Sequence, residues 1–232
     1  MSLIEIRKVE NKKDLKTFID FHYDLYEGNE YDVPNLFSDE MNTLSKDRNA
    51  AFEFCESEYF LAYKDGKLAG RVAAIINHKA NERWNCKSVR FGWIDFIDDR
   101  EVSKALLQAV EDYGKSKGMD NVVGPLGFTD MDPEGMLTWG FDQLGTMPTI
   151  YNYSYYPEHI EALDGYEVDN KYVEYKLIVP DTVPEKYAKI AAMIEKRYNL
   201  HVRKLTKKDV FQGGYGQKIF ELINATYKDL YG

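Results

Sequence analysis

The stretch that decides the fold runs from residue 88 to residue 128 and begins Ser88-Val-Arg-Phe-Gly-Trp-Ile-Asp-Phe-Ile-Asp-Asp-Arg-Glu-Val-Ser-Lys-Ala-Leu-Leu-Gln-Ala-Val-Glu-Asp-Tyr113. In its first ten residues, apolar side chains occur at most positions on both faces of an extended chain. This pattern predicts a strand buried in the centre of a sheet. Apolar residues then recur at helical spacing from Val102 to Tyr113, and Gly118 is a typical helix stop. A short apolar run over 121–124 completes a strand–helix–strand unit, whose right-handed crossover predicts two parallel strands. A sheet of this kind opens a ligand cleft at its strand ends.

The bulk properties of the chain narrow its class. Its 232 residues can bury a sizeable core, and the length fits one large domain or one domain plus a fragment. The net charge of −9 argues against nucleic acid and anionic membranes as partners. The chain contains no apolar segment of about 18 residues and no signal-peptide core at its start, which predicts a cytoplasmic protein that does not bind membranes. Cys55 and Cys86 lack metal-ligand spacing to each other or to any histidine, so no metal is expected.

The residues before this unit predict an antiparallel start to the sheet. Residues 3–9 alternate as a strand, and Asn11 caps a helical stripe that Gly28 ends. Residues 39–46 predict a short helix. Residues 59–63 and 68–76 then predict a hairpin, with Asp65-Gly66 supplying its tight turn. The order therefore predicts a mixed α/β sheet rather than a doubly wound one.

This order, and the stretch Tyr59-Phe-Leu-Ala-Tyr-Lys-Asp-Gly-Lys-Leu-Ala-Gly-Arg-Val-Ala-Ala-Ile75 in particular, resembles the GNAT family of acyl-CoA N-acyltransferases. The resemblance covers about residues 3–179 and is strongest to uncharacterised bacterial members that carry two such domains in tandem. It implies a central mixed β-sheet flanked by helices. It also implies acetyl-CoA or another acyl-CoA as cofactor and a small-molecule or peptide amine as acceptor. A homodimer is possible.

The loop after the central strand is where the family binds the coenzyme A pyrophosphate, usually through a glycine-rich Arg/Gln-x-x-Gly-x-Gly/Ala motif. The resemblance places cofactor binding here at Ile97, Asp98, Asp99, Arg100 and Lys104. No glycine lies among these residues. Carboxylates at a helix start stabilise the helix and occupy its amides, so they repel a pyrophosphate unless Arg100 and Lys104 turn inward. The same residues are equally well explained as a helix cap alone, with Asp98 and Glu101 as its capping pair.

Two residues are candidates for proton transfer. Asp95 lies in the central strand on the side of Trp93 and Ile97, where the family often places a carboxylate that takes the proton of the amine. Apolar neighbours are expected to raise its pKa toward that of a useful base. The resemblance implies that Tyr156 protonates the departing thiolate. Asp95 as a hydrogen-bonded strand-end residue and Tyr156 as a packing residue are the alternatives. His22, on the first helical stripe, is either a satisfied core histidine or a catalytic base.

Residues 124–156 are rich in glycine, proline and aromatic residues and predict an ordered excursion that leaves a sheet strand. A loop in that position can wall a pocket. The predicted substrate-binding residues of this segment are Trp139, Tyr151, Asn152 and Tyr155.

The last part of the chain contains an apparent repeat. After a helix over 157–163, a strand over 172–179 and a helix ending at Tyr198, residues 200–210 echo residues 4–15, with Arg-Lys and Lys-Lys-Asp in common. Residues 220–232 echo residues 18–28 through Asp-Leu-Tyr and glycine. We therefore predict a GNAT-like domain over 1–180, a connecting helix over 181–199 and the opening strand and helix of a second, truncated GNAT-like repeat over 200–232.

Three functions are compatible with this sequence. The first is an acyltransferase in which Asp95 deprotonates an amine and Tyr156 protonates a thiolate. The second is a non-catalytic domain that binds a ligand or peptide, favoured by the carboxylates at the helix start. The third is a tandem transferase that uses aminoacyl-tRNA, disfavoured by the acidic net charge. Only the residues of the functional site can distinguish these functions, because the fold is compatible with all three.

Overall fold

A computed structural model describes residues 3–227. The strands are β1 (Ile4–Lys8), β2 (Cys55–Lys64), β3 (Lys67–Asn77), β4 (Ser88–Phe96) and β5 (Asn121–Val123). The helices are α1 (Lys12–Leu25), α2 (Phe37–Leu44), α3 (His78–Trp84), α4 (Arg100–Ser116), α5 (Tyr155–Glu161), α6 (Glu185–Tyr198), α7 (Lys207–Phe211) and α8 (Tyr215–Tyr227), with a short 3₁₀ turn at Ala50–Glu53. The chain forms two compact units, which divide between Glu167 and Val168.

The first unit is built on a five-stranded mixed sheet with the strand order β1-β2-β3-β4-β5. The first four strands are antiparallel neighbours, and β5 runs parallel to β4. The hairpin turn has Asp65 and Gly66 at positive φ, 50° and 79°, as a tight turn between twisted strands requires. The predicted mixed α/β fold, with a sheet flanked by helices, is confirmed.

A β-bulge interrupts β4 at Trp93, whose φ of 45° lies in the left-handed region. Arg71 pairs with Asp95, but Ala73 pairs with Gly92, so β4 carries an extra residue between these positions. The simple alternation predicted for this strand therefore fails. Ile97 packs with the core on the α4 side of the sheet, not on the side of Asp95 as the sequence predicted.

Helix α4 begins with Asp99 as its N-cap, one residue later than the predicted capping pair. The Asp99 Oδ1 atom accepts hydrogen bonds from the amides of Glu101 (3.0 Å) and Val102 (3.4 Å). Lys64 forms an ion pair with the same carboxylate. The apolar stripe of α4 covers one face of the sheet, while α1 and α2 cover the other, so the sheet has a core on each face.

The second unit contains α6, α7 and α8. The predicted helix ending at Tyr198 is confirmed, but the predicted strands over 172–179 and from residue 200 are not formed. Leu177 and Ile178 are 84% and 90% exposed. A strand needs a neighbour for its backbone hydrogen bonds, and residues 168–227 of this unit contain no other strand to supply one.

The two echoed stretches each contain a capped helix start. Asn11 caps α1 and contacts Asp14, and Thr206 caps α7 in a capping box with Asp209, at the matching position of the echoed stretch. The echoed Asp-Leu-Tyr-Gly at 229–232 lies outside the described residues. The repeat, with its boundaries at 180 and 200, stays a prediction, and the compact units divide earlier than that prediction places the boundary.

Within residues 3–227, no helix has the length and apolar composition needed to cross a membrane.

Candidate active site

A cavity of about 120 Å³ lies on the α1 side of the sheet, next to the β4 bulge. For scale, an engineered apolar cavity of about 150 Å³ binds benzene. Its walls come from α1, the loop 32–35, Glu40 of α2, β3, the β4 bulge, the segments 125–136 and 149–152, and α5. The cavity can therefore hold a small molecule or one group of a larger one.

Asp95 lies in the wall of this cavity and is 5% exposed. Its Oδ2 atom accepts hydrogen bonds from Arg71 Nε at 2.7 Å and His22 Nδ1 at 3.1 Å. Its Oδ1 atom accepts a hydrogen bond from the hydroxyl of Tyr156 at 3.1 Å. Burial by itself raises the pKa of this carboxyl, but the charges of Arg71 and His22 and their hydrogen bonds lower it to about 2. The predicted rise in the pKa of Asp95 is therefore wrong, because the sequence did not show that two cations meet its carboxylate.

His22 bridges two carboxylates across the cavity. Its Nδ1 atom contacts Asp95, and its Nε2 atom lies 3.5 Å from Oδ2 of Asp32. Its ring packs on that of Tyr26, with the centroids 4.6 Å apart. Burial by itself lowers the pKa of the imidazole, and the charge of Arg71 lowers it further. The charge of Asp95 and the hydrogen bonds that the ring donates to Asp32 and Asp95 have the larger effect and raise the pKa to about 9. His22 is thus a site residue and not only a core histidine.

Tyr156 is 1% exposed, and its hydroxyl donates one hydrogen bond and accepts two. It donates to Asp95 and accepts from the hydroxyl of Tyr26 at 3.0 Å and the amide of Phe96 at 3.1 Å. Burial, with the nearby charge of Asp95, raises the pKa of the phenol well above its ordinary value. The sequence named Asp95 and Tyr156 as separate proton carriers, and the structure brings them together as neighbours in one hydrogen-bond network.

A further carboxylate, that of Glu40, faces the cavity and is 8% exposed. Its oxygens accept hydrogen bonds from Asn35 Nδ2 at 3.0 Å and from Trp93 Nε1 at 2.8 Å. Sequence reasoning missed Glu40, Asp32 and Arg71. For Arg71 a signal was present, because it is the one charged residue in the apolar run Leu68-Ala-Gly-Arg-Val-Ala-Ala-Ile-Ile76.

The four predicted substrate-binding residues fall into two groups. Tyr151 and Asn152 line the cavity. The side chain of Asn152 also bonds the backbone of Leu137, accepting at 2.7 Å and donating at 3.1 Å, so it holds the excursion in shape. Tyr155 does not line the cavity and donates instead to the carbonyl of Phe96 at 2.7 Å. Trp139 is 85% exposed and lies away from the cavity wall.

The predicted cofactor-binding residues at the start of α4 lie outside the cavity. Asp98 contacts His159 Nε2 at 3.0 Å, and Asp99 holds the amides of the first turn. The side chains of Arg100 and Lys104 are exposed there. While Asp99 caps the helix, the amides of Glu101 and Val102 are occupied and are not open to a pyrophosphate.

The part of the chain that the structure describes contains no group of three or more His, Cys, Asp or Glu side chains arranged to hold a metal ion.

The first unit is therefore a mixed α/β domain with a buried carboxylate–imidazole pair in a small cavity. The chain is 34% identical over 161 residues to the protein YghO of Escherichia coli (strain K12), a match that covers 69% of this chain and 41% of YghO. It is 29% identical over 140 residues to the bacterial ceramide synthase of Caulobacter vibrioides (strain NA1000 / CB15N), covering 60% of this chain and 36% of that protein. The chain spans about two fifths of the length of these curated relatives.

Among solved structures, the chain is similar to the aminoglycoside N-acetyltransferase AAC(6')-Iy in complex with a bisubstrate analogue. The sequence identity is 18% and the TM-score 0.45, over 77% of this chain and 100% of that one. No family model matches the sequence.

Proposed function

We propose that this chain is a GNAT-like acyltransferase, which transfers an acyl group from a thioester such as an acyl-CoA to an amine. The observation that carries the proposal is the Asp95–His22 pair in the cavity wall, with the two side chains 3.1 Å apart. An amine attacks a thioester only as the uncharged base, so the reaction needs a group that removes its proton. A buried imidazole beside a fixed carboxylate is a group of that kind.

The relative from Caulobacter supports the same class of reaction. A ceramide is the amide of a fatty acid and a long-chain amino alcohol, so a ceramide synthase makes an amide bond. The similarity covers 60% of this chain. We therefore propose an amine acceptor and either an acetyl or a longer acyl group for this protein too.

We expect the phosphates of the acyl donor to bind to side chains in this protein, and not to the backbone amides of a glycine-rich loop. Because Asp99 occupies the amides of the first turn of α4, that turn does not fit a pyrophosphate through its backbone. The exposed side chains of Arg100 and Lys104 are the groups that would bind phosphate at this end of the helix.

The test is a transfer assay with the purified full chain, acetyl-CoA or palmitoyl-CoA, and a panel of primary amines. Release of the thiol is followed with a thiol reagent, and the amide product is identified by mass spectrometry. We expect thiol and amide to form in equal amounts. If no acyl-CoA gives an amide with any amine while the chain stays folded, the proposed function is wrong.

A second candidate function is a non-catalytic GNAT-like domain that binds a ligand or peptide. The capping of α4 by Asp99 favours it, because this contact removes the backbone site for the phosphates of coenzyme A. Calorimetric titration with CoA separates the two candidates. The non-catalytic domain is expected to give no heat with CoA at millimolar concentration, whereas the transferase is expected to bind CoA and to lose binding when Arg100 and Lys104 are changed to Ala.

A further inference from the structure

We propose that His22, and not Asp95, accepts the proton of the acceptor amine, and that Asp95 is the positioning residue that holds the His22 ring. This inference rests on the acyl transfer proposed above and assigns the roles within it.

Asp95 has little capacity left to accept a proton from a substrate. Arg71 approaches Oδ2 with two nitrogens, Nε and Nη2, each at 2.7 Å, and His22 donates to the same oxygen. Tyr156 donates to the other oxygen. A carboxylate that accepts three hydrogen bonds, one of them from a buried guanidinium with which it also forms an ion pair, is stabilised as the anion. Its remaining role is to orient the groups that donate to it.

The contact with Asp95 also fixes which nitrogen of His22 carries the proton. An ionised carboxylate can only accept, so Nδ1 of His22 must be the donor of the 3.1 Å contact. In the uncharged ring, Nε2 is then the nitrogen with an open lone pair. The Nε2 atom is 3.5 Å from Oδ2 of Asp32, and His22 and Asp32 both line the cavity. An ammonium group of a ligand that enters the cavity beside Asp32 is therefore within reach of this lone pair.

Asp32 is placed to stabilise the ring after it has taken the proton. Its Oδ2 atom is 3.5 Å from Nε2, and its side chain is 8% exposed. Together with Asp95 it gives the charged imidazole an anion on each nitrogen. Arg71 opposes this charge, and Tyr26 packs against the ring.

The reaction balances without another reagent. The ammonium group of the acceptor gives one proton to Nε2 of His22, and the amine nitrogen forms a C–N bond with the thioester carbonyl. The C–S bond then breaks, and the thiolate takes the second proton that the nitrogen loses. The products are an amide, a thiol and a proton that His22 returns to water.

The groups that face His22 also set its pH dependence. They are Tyr23 and Tyr26 from α1, Arg71 from β3, Asp95 from β4 and Asp32 from the loop after α1. Their combined effect raises the pKa of His22 to about 9. The ring is therefore charged at pH 7 and must lose its proton before it can act, so the rate is expected to increase with pH up to about 9.

The first test measures the tautomer of His22 without any substrate. The full chain is labelled with ¹⁵N-histidine, and the two-bond proton–nitrogen correlations are recorded as the pH is raised through 9. The chain has four histidines, and the His22→Gln variant identifies the signals of His22. We expect the uncharged ring to carry its hydrogen on Nδ1. A hydrogen on Nε2 would overturn the proposal whether or not the chain is active, because no acceptor would then face the cavity.

The second test runs the transfer assay with a primary amine that is charged at pH 7 and, for comparison, with hydroxylamine, which is already uncharged at that pH. His22→Gln is expected to lower kcat for the charged amine by about 100-fold or more with little change in KM, and to change the rate with hydroxylamine much less. His78→Gln, which changes an exposed histidine on α3, is the matched control and should keep the wild-type rate. Asp32→Asn should keep the fold and move the rise of the rate to lower pH, because it removes one anion beside the ring.

The outcomes separate this inference from the proposed function. An active wild-type chain whose His22→Gln variant keeps its rate and pH profile overturns the role of His22 alone. A folded wild-type chain that transfers no acyl group overturns the proposed function and the catalytic role of His22 with it.

Discussion

The hydroxyl of Tyr156 donates a hydrogen bond to Oδ1 of Asp95 at 3.1 Å, although 61 residues separate them in the chain. The two residues were named from the sequence as a proton donor and a proton acceptor that act on different atoms. In the structure they are directly bonded, and the proton of the phenol is already directed at the carboxylate. A substitution of either residue will therefore change the surroundings of the other.

Replacement of Tyr156 by Phe tests this contact. The change leaves the Tyr26 hydroxyl, the Phe96 amide and Asp95 each with one partner fewer in a buried place. We expect the free energy of unfolding in urea to decrease by about 2 to 3 kcal/mol. Tyr155→Phe is the matched control, because the residue is half-buried and its hydroxyl makes one hydrogen bond among the described residues, to the Phe96 carbonyl. The control should lose about 1 kcal/mol. Equal losses in both variants would contradict the network described for Tyr156.

The charge of His22 predicts a pH dependence of stability. Its pKa is about 9 in the folded protein, compared with an ordinary value of 6.5. The stabilisation is fully present below the unfolded value and is lost as the pH increases through the folded one. Between about pH 6 and pH 9.5, wild type should lose roughly 3 kcal/mol relative to His22→Gln, as measured by urea unfolding at each pH. A difference between the two proteins that stays constant over this range would show that His22 is not charged when folded.

Local features of the fold could be read from the sequence. The Asp65-Gly66 turn fixed the hairpin, and the helical spacing after residue 100 fixed α4, since both signals depend on residues close together in the chain. The bulge at Trp93 could not be predicted, because it depends on the register between β3 and β4. This bulge decides which side of the sheet Ile97 and Asp95 face.

The candidate site was only partly predictable for a related reason. Asp95 and Tyr156 were identified, but the contact between His22 and Asp95 joins residues 73 positions apart, and no local pattern reports it. The pKa of Asp95 is lowered by the Arg71 guanidinium and by that contact with His22, so it was predicted with the wrong sign. The strand predicted over 172–179 shows the opposite error. Its residues alternate as in a strand, but residues 168–227 contain no neighbouring strand with which it could pair.

A substitution at Gly92 tests how closely the segment after β5, at Leu126, packs on β4. A Cβ atom at this position would lie 2.4 Å from the carbonyl oxygen of Leu126, which is backbone and cannot rotate away. We expect Gly92→Ala to lower the free energy of unfolding by about 1 to 3 kcal/mol and to disturb the adjacent bulge. Gly118→Ala is a useful comparison, because its φ of 80° costs backbone strain but a Cβ atom there meets no neighbour. Altered transfer kinetics are expected for the first variant and not for the second.

Removal of the negative charge of Asp99 is expected to strengthen the binding of coenzyme A. Ser is as good an N-cap as Asp, so Asp99→Ser should keep α4 stable to within a few tenths of a kcal/mol. It removes a negative charge from the helix start while Arg100 and Lys104 stay in place. If the phosphates of CoA bind at this end of α4, the dissociation constant measured by calorimetry at low salt should decrease several-fold.

Two controls test whether Asp99→Ser affects CoA binding through the charge at the start of α4. One is a titration at high salt, and the other is a second variant. The gain from Asp99→Ser should largely disappear at about 1 M salt, where surface charges are screened within a few ångströms. Asp112→Ser, at an exposed position near the other end of α4, removes the same charge from the protein but lies far from the first turn, and it should leave CoA binding unchanged. If Asp99→Ser binds CoA no better than wild type, the phosphates do not approach the start of α4. The acyl donor would then bind without contact to Arg100 and Lys104.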